Sequence, residues 1–374
     1  MSLSNLYPTI QPSLMLDFAN SGALDPRITF TRASSGTYFG PDGVLYTAQA
    51  NAPRFDYSPS TLAAQGLLIE ESRTNLCIYS EDFTYANWLV TNGTKTTGVS
   101  DPWGGSTAAT LTATNTSATF QNAAATVVIG TTYTVSCWMR RRTGTGAVGI
   151  RAVENANTPV TITNTWARYS LTVTAAQTIG RAGVYVQTSG DEIDVWGFQL
   201  EAGAFPTSYI PTTTIALTRA ADAASVNTLS PWYNAAEGTV YAEVITPTLG
   251  SFTSPQAACS FNDTTGNNRF TLAVINPTRQ GSALRNTAGA GLLVTNTTNT
   301  AVDGLNKLAL GVSTGASVVL NGGTAATTTT YGMPTVTQVQ LGWQLNASYV
   351  NGHLRRITYY PRRLSDAELV AITS

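Results

Sequence analysis

The sequence predicts an all-β protein, and three observations support this fold class. Only 11% of the 374 residues are charged, whereas helices with solvated faces use many charged side chains. Thr makes up about one residue in six, and Thr suits the half-buried surface of a pleated strand. The 32 glycines, together with Asn and Pro, supply turns between short strands. We expect two β-sandwich (jelly-roll) domains, preceded by an irregular N-terminal docking segment and followed by one short C-terminal helix.

Residues 1–75 are interrupted by Pro and Arg and contain only short strand-like strings, such as RITFTRAS and GLLIEE. No long periodic segment is present, so the zone lacks the pattern of a compact core of its own. We therefore interpret it as an adaptor that docks onto a partner.

Residues 76–210 show clean alternation of apolar and polar side chains, which is typical of half-buried strands. In the string TYTVSCWM, the inward-facing set is Tyr133, Val135, Cys137 and Met139. Further short strands follow at GIRAVE, AGVYVQ and IDVWGFQL, separated by turn-forming segments. Many short antiparallel strands with polar outer positions predict a jelly-roll sandwich.

Residues 211–236 lose the alternation and are rich in Pro, Thr, Asn and Ala, so they are predicted to form a linker. A second sandwich is predicted for residues 237–374. Within it, Asn321 and Gly322 form a tight-turn signal because both residue types tolerate positive φ. Ser365 followed by Glu368 is a capping box that predicts the C-terminal helix.

The charge pattern excludes several classes of partner. The formal net charge is −1, and only Lys95 and Lys307 are lysines, so the basic patch of a nucleic-acid-binding protein is missing. The N-terminus has no basic stretch followed by an apolar core, and no apolar run approaches membrane-spanning length. We expect neither nucleic-acid binding nor membrane insertion.

Catalytic signals are weak. His353 is the sole histidine and lies in a strand-like string, so a Ser-His-Asp triad is not indicated. Glu192 and Asp194 alternate like the carboxylates of sandwich hydrolases, but Trp196 occupies the position of the third carboxylate. The cysteines form no C-x-x-C pattern and are interpreted as buried hydrophobes. The sequence therefore predicts a protein that is not an enzyme.

Several long strings resemble a family of tailed-bacteriophage virion proteins. These strings are LDFANSGALDPRITFTRAS (16–34), PRFDY (53–57), GLLIEESRTNL (66–76), WGFQLEAGAFPTSYIPT (196–212), TRAAD (218–222) and NGHLRRITYYPRRLSDAEL (351–369). The middle region resembles carbohydrate-binding jelly rolls. The last region resembles concanavalin A-like, laminin-G-type sandwiches.

The resemblance implies a tail or capsid fibre that is made in the cytoplasm of a bacterial host and located on the virion. Its partners would be other virion proteins and a host surface polysaccharide, with weak binding strengthened by copy number. A homo-oligomer is implied, the trimer being the common state of such appendages. Two alternatives stay open, a purely architectural decoration or adaptor protein and a polysaccharide depolymerase.

Sugar recognition uses aromatic faces and hydrogen-bonding side chains, because sugars offer apolar faces and many hydroxyl groups. In the middle domain one outward platform is predicted to carry Trp138, Arg140, Arg151, Tyr185 and Gln187. In the last domain a loop carries Trp343, Asn346 and Tyr349. The alternative is that Trp138 covers a neighbouring loop, and that Trp343 contacts a neighbouring subunit.

The resemblance to jelly rolls also implies a possible structural calcium, with Asp194 and Asp82 as the candidate ligands. The alternative is that Asp194 accepts hydrogen bonds within the strands. No other cofactor is indicated. The arginine runs at 140–142, 355–356 and 362–363 split between strand faces, so we expect them to form structural ion pairs or subunit contacts.

Overall fold

The computed structural model describes residues 7–122, 125–153, 156–246, 255–275, 278–345 and 347–374. The described residues form two compact units. Unit 1 combines the N-terminal residues up to Glu71 with residues Ala220 to Ser374, and unit 2 spans Ser72–Arg219. Unit 2 is therefore an insertion in the sequence of unit 1.

The N-terminal part of unit 1 contains short strands and one helical turn. Their bounds are β1 (Leu14–Asp17), α1 (Phe18–Ser21), β2 (Ile28–Thr31), β3 (Gly36–Phe39), β4 (Leu45–Ala48), β5 (Phe55–Tyr57) and β6 (Ala64–Ile69).

Unit 2 is built entirely from strands within its described residues. Their bounds are β7 (Arg73–Asn75), β8 (Trp88–Thr91), β9 (Gly93–Val99), β10 (Ala108–Ala113), β11 (Ala118–Asn122), β12 (Ala125–Thr126), β13 (Thr132–Thr143), β14 (Val148–Ala152), β15 (Ala156–Val160), β16 (Ala167–Thr174), β17 (Ile179–Gly180), β18 (Gly183–Val186), β19 (Glu192–Ala202) and β20 (Leu217–Arg219).

The C-terminal part of unit 1 adds longer strands and the final helix. Their bounds are β21 (Ala223–Val226), β22 (Gly238–Thr246), β23 (Gln256–Asn262), β24 (Arg269–Ile275), β25 (Gln280–Thr287), β26 (Ala290–Thr300), β27 (Gly304–Val312), β28 (Ala316–Leu320), β29 (Ala326–Thr328), β30 (Gln338–Leu341), β31 (Gly352–Tyr360) and α2 (Asp366–Thr373).

Unit 1 is a β-sandwich with apolar side chains of both sheets between them. One sheet has the strand order β29-β28-β27-β22-β31-β6-β5, with β1 also paired to β31. The other has the order β2-β21-β30-β23-β24-β25-β26. Strands from the two ends of the chain thus share both sheets.

This topology corrects the predicted domain boundaries at both ends. Residues 1–75 do not form a segment separate from the last sandwich, because β1, β2, β5 and β6 are strands of its two sheets. Likewise, residues 211–236 are not a structureless linker, since β20 and β21 lie there. Short strands with few residues of their own gain a core by pairing with longer ones, as Leu14 and Leu16 of β1 do against β31.

Unit 2 is a second sandwich, and its sheets are named here after their central long strands. The β13 sheet has the order β16-β13-β19-β10-β9, and the β14 sheet has the order β15-β14-β18-β11-β8. The predicted inward set of β13, from Tyr133 to Met139 at every second residue, lies in the core between these sheets. The all-β sandwich prediction is confirmed.

The C-terminal helix α2 is confirmed, together with its capping box. The Ser365 hydroxyl accepts from the backbone N–H of Glu368, and the Glu368 carboxylate accepts from the backbone N–H of Ser365. Leu369 and Ile372 pack against strands β22, β27 and β28. Among the described residues, no helix has the length and apolarity to cross a membrane.

Candidate functional site

Trp138 lies on the outer face of the β13 sheet, where it belongs to a closed aromatic cluster. Its ring contacts Trp196, Trp103 and Tyr209 at centroid distances of 5.3, 5.4 and 5.5 Å. The Arg168 guanidinium lies 4.7 Å from the centroid of the same ring. Trp138 and Trp196 are each 5% exposed. The packing alternative for Trp138 is therefore the one that the geometry favours, since no ring face is left for a ligand.

Arg140, on the same strand, is a member of an ion-pair group centred on Asp194. The Arg140 Nε atom lies 2.8 Å from one carboxylate oxygen of Asp194, and the Arg142 Nε atom lies 3.0 Å from the other. Thr110 donates a further hydrogen bond of 2.6 Å to this carboxylate. On the other face Arg141 pairs with Asp191 at 3.2 Å. The run 140–142 forms structural ion pairs, as predicted.

The calcium candidates do not fit a metal ion. Asp194 is 1% exposed and directs both oxygens at guanidinium groups, and two such cations repel a third positive charge. Asp82 is exposed, and its carboxylate accepts from the backbone N–H and the hydroxyl of Thr84 in a tight turn. The described part of the chain holds no group of three or more His, Cys, Asp or Glu side chains suited to a metal. The alternative for Asp194, hydrogen bonding within the sheet, is correct.

The predicted single platform is also corrected, because its members lie on two different sheets. Trp138 and Arg140 are on β13, whereas Arg151 and Tyr185 are on β14 and β18 of the β14 sheet. The two sheets face each other across the core, so their outer surfaces point in opposite directions. Alternation along one strand identifies side chains that share a face but does not identify the sheet to which the strand belongs.

On the β14 sheet, however, Arg151, Tyr185 and Gln187 lie on one outer face. Cross-strand register places Tyr185 beside Gly149 of β14 and Thr119 of β11. Their neighbours along each strand, such as Ile150 and Val184, lie in the core. Since side chains alternate, the paired residues point away from that core.

One row further along, Gly183 of β18 lies between Arg151 and Gln121. Gly183 has no side chain, so it forms a low floor with Arg151 and Gln121 across the strands and Tyr185 along the strand. Gly149 allows Tyr185 to lie along the sheet, because a Cβ atom at Gly149 would be 2.3 Å from Cε1 of that ring. We call this surface the glycine-floored site, which consists of Gln121, Gly149, Arg151, Arg181, Gly183 and Tyr185.

Arg181 completes the glycine-floored site at its other end. It lies two residues before Gly183, and Ala182 between them points into the core, so Arg181 shares the outer face. Burial and the neighbouring charge of Arg181 lower the pKa of Arg151, which shows that the two guanidinium groups are close. Among the described residues Arg181 has no carboxylate partner. The site is therefore positively charged.

Gln121 and Tyr185 add hydrogen-bonding capacity and an aromatic ring. The Gln121 side-chain oxygen is buried and accepts no hydrogen bond from the described residues, although buried acceptors are normally satisfied. Burial raises the pKa of the Tyr185 hydroxyl, so it remains a neutral donor. At the margin, Gln187 is exposed and accepts a 3.1 Å hydrogen bond from Ser117. Together these groups suit a ligand with hydroxyl donors and a negative charge.

The sequence prediction omitted Arg181 and Gln121, although a signal for each was present. In the string RAGVYVQ, alternation already puts Arg181, Gly183, Tyr185 and Gln187 on one side. In ATFQN, the same period aligns Thr119 with Gln121. What alternation lacked was the pairing of β18 with β11 and β14, which brings the two strings side by side.

The predicted loop of the last sandwich lies in unit 1. Trp343 donates its indole N–H to the carbonyl of Ala224 at 2.9 Å, and its ring lies parallel to that of Tyr349 at 6.2 Å. Tyr349 is buried, and Asn346 is outside the described residues. Trp343 and Tyr349 are thus held in internal contacts. His353 is also buried, with Nε2 2.7 Å from the Asp56 carboxylate.

The chain matches no known protein-family model and no curated protein sequence. Several solved structures are similar to parts of it. The carbohydrate-binding module of the Ruminococcus gnavus IT-sialidase, bound to sialyllactose, is 24% identical with a TM-score of 0.32, covering 38% of this chain and 84% of that one. Domain 4 of the extracellular arabinanase AbnA from Geobacillus stearothermophilus, in complex with arabinotriose, is 11% identical with a TM-score of 0.36, covering 46% and 82%.

A phage protein is also among the similar structures. The enzymatically active domain of tailspike protein 4 from bacteriophage CBA120 is 19% identical with a TM-score of 0.28, covering 34% of this chain and 21% of that one. The structural neighbours are thus carbohydrate-binding sandwiches and one tailspike domain. At these identities and TM-scores the similarity does not identify a function, which has to be inferred from the site itself.

Proposed function

We propose that unit 2 is a glycan-binding module and that the glycine-floored site binds an acidic sugar of a surface polysaccharide. The observation that carries the proposal is the pair of neighbouring guanidinium groups of Arg151 and Arg181 beside the Tyr185 ring and the Gly183 floor. Guanidinium forks bind carboxylate groups with two parallel hydrogen bonds. The ring and the side-chain oxygen of Gln121 would contact the apolar face and a hydroxyl of the same sugar.

We also propose that this binding occurs without cleavage and serves a virion appendage, a tail or capsid fibre. The virion setting rests on the sequence strings quoted above. The absence of cleavage is supported by the engagement of Asp194 with Arg140 and Arg142 and of Glu192 with Thr112. A homo-oligomer, with a trimer as the common state, would strengthen weak binding through copy number. An architectural role remains the alternative function.

The test measures binding of the full chain to immobilised polysaccharides, acidic ones containing uronic or sialic acid and neutral ones of similar length. We expect binding to the acidic set alone, with a loss of about tenfold or more for Arg181→Ala because a charge-assisted hydrogen bond is removed. Arg27→Ala is the matched control, since Arg27 is an exposed arginine of unit 1. Equal affinity of Arg181→Ala and wild type for every bound polysaccharide would refute the proposed site.

Two further measurements separate the accompanying hypotheses. Release of reducing ends from a bound polysaccharide would show a depolymerase instead of a binding protein. Antibody labelling of intact particles tests the virion location, and light scattering of the purified chain tests the trimer. A chain that is incorporated into particles but binds no polysaccharide would favour the architectural alternative.

A further inference from the structure

A cleft of about 610 Å³ lies in the N-terminal part of unit 1, apart from every residue discussed as a glycan ligand so far. It is bordered by the β3–β4 hairpin, by strand β5 and by the turn that follows α1. Its lining consists of small, proline and aromatic residues with one carboxylate: Gly22, Ala23, Leu24, Tyr38, Gly40, Pro41, Asp42, Tyr46, Pro53, Phe55 and Tyr57. We call it the tyrosine cleft. Its volume is in the range of small-ligand sites.

The rings of the tyrosine cleft are held in place by the local backbone. Tyr38 and Tyr46 are directly opposite in the β3–β4 register, with ring centroids 6.0 Å apart. The Tyr46 ring also lies over Gly40, where a Cβ atom would come within 2.5 Å of it. Tyr46 is nevertheless 43% exposed. The cleft therefore presents a fixed aromatic face to solvent.

Strand β5 supplies the facing wall. Asp56 at its centre points inward, where it accepts from the backbone N–H of Phe39 at 2.6 Å and contacts His353. Because side chains alternate, Phe55 and Tyr57 point to the opposite side, towards the cleft. The Asp56 contacts fix the position of the strand, so both walls are rigid.

One carboxylate, Asp42, provides the polar group of the cleft. It accepts a 2.8 Å hydrogen bond from the Tyr46 hydroxyl and a 3.1 Å bond from the backbone N–H of Val44. The bond from Tyr46 lowers the pKa of Asp42, so the group is ionised at neutral pH. A carboxylate has more acceptor positions than these two bonds use. No arginine, lysine or histidine is present in the described lining.

We propose that the tyrosine cleft binds a neutral oligosaccharide, as a second glycan site distinct from the glycine-floored site of unit 2. A sugar ring offers an apolar C–H face to Tyr38 and Tyr46 and hydroxyl donors to Asp42. The lone carboxylate disfavours uronic and sialic acids, because like charges repel. The two sites thus select opposite classes of glycan.

The occupant is a saccharide rather than a proline-rich peptide because the lining joins stacking faces to a hydrogen-bond acceptor. Extended proline-rich segments also bind in aromatic grooves, but their prolines lack N–H donors. A donor-rich ligand uses Asp42 and the tyrosine hydroxyls together. The peptide therefore serves as the competing outcome in the test.

The test uses the full chain and a panel of neutral gluco-, manno-, galacto- and xylo-pentasaccharides, with binding detected by saturation-transfer NMR and quantified by calorimetry. We expect at least one pentasaccharide to bind. We expect Tyr46→Ala to weaken binding about tenfold or more, because a ring face is lost, and Tyr46→Phe to retain most of the affinity. Asp42→Asn should weaken binding while leaving the stacking in place.

Tyr85→Ala is the matched control, since Tyr85 is an exposed tyrosine of unit 2, and it should bind the panel as wild type does. Arg181→Ala should also leave neutral binding unchanged, so failure at one site is distinguishable from failure at the other. The proposal is overturned if no neutral pentasaccharide binds, or if binding survives Tyr46→Ala. It is equally overturned if a P-x-x-P decapeptide binds in a Tyr46-dependent manner and the pentasaccharides do not.

Discussion

Arg54 and Asp222 form a fully buried ion pair with an N–O distance of 2.5 Å, although 168 residues separate them in the chain. Arg32 approaches the other oxygen of the same carboxylate at 3.1 Å. The Glu70 carboxylate lies 2.8 Å from Arg54, and its backbone N–H donates to Asp222. This network joins the N-terminal residues to the strands of the C-terminal part within unit 1.

Asp222→Ala is expected to destabilise the protein by about 3–5 kcal/mol, because it leaves the buried guanidinium groups of Arg32 and Arg54 without their shared carboxylate. Urea unfolding measures the change. Asp25→Ala is the control, since Asp25 pairs with Arg27 at the surface, and the expected cost there is under about 1 kcal/mol. Similar effects of the two variants would contradict a structural role for the buried network.

Asp194→Ala is expected to destabilise the protein by about 1–3 kcal/mol, since Arg140 and Arg142 lose their common partner while remaining partly solvated. Calcium and a chelator should leave the unfolding midpoint of wild type unchanged. Thermal unfolding in calcium, in chelator and in plain buffer checks both statements. A midpoint that rises with calcium in wild type but not in Asp194→Ala would restore the metal-ligand hypothesis.

Glu81→Gln is expected to stabilise the protein at pH 7 relative to wild type. Burial, with a contribution from the charge of Asp101, raises the pKa of Glu81 in the folded state. Between its unfolded and folded pKa values the folded chain binds more protons, so wild-type stability falls as pH rises through that window. Gln cannot ionise, so the variant lacks this loss.

The measurement for Glu81→Gln is urea unfolding at pH 4 and at pH 7. The gain in the free energy of unfolding over wild type should be larger at pH 7 and should shrink at pH 4, where Glu81 is mostly protonated in both states. An equal difference at the two pH values would mean that ionisation of Glu81 is not its cause.

Cys77, Cys137 and Cys259 are expected to be unreactive in the native protein. All are buried and free, and burial raises the pKa of the Cys259 thiol to about 12, so little thiolate is present at neutral pH. A disulfide reagent such as DTNB should react with the thiols only in denaturant. Ser60→Cys, at an exposed position, is the positive control, and fast labelling of native wild type would disprove the burial.

Local sequence signals were sufficient for several elements. The capping box of α2 and the Asn321-Gly322 turn, both with positive φ, depend on residues next to each other in the chain. The inward set of β13 follows from a period of two residues. Such features are readable from the sequence because their physical causes act over a few residues.

The candidate site was only partly predictable. Arg151 and Tyr185 were identified as binding residues on one face, and the structure places them there together. Trp138 and Arg140 were assigned to the same face but lie on the other sheet. Arg181 and Gln121 were missed, because their approach depends on which strands pair, and pairing is not encoded within any single strand.

The sequence by itself determined an all-β chain of neutral, Thr-rich strands and the face on which each side chain of a strand lies. Only the tertiary structure decided that the N-terminal strands complete the C-terminal sandwich, and that arginines from separate strands meet beside Tyr185. The physical reason is distance along the chain. Alternation is a local property of the backbone, whereas β1 pairs with β31 across more than three hundred residues, and such a partner is selected by the burial and charge pairing of the whole fold.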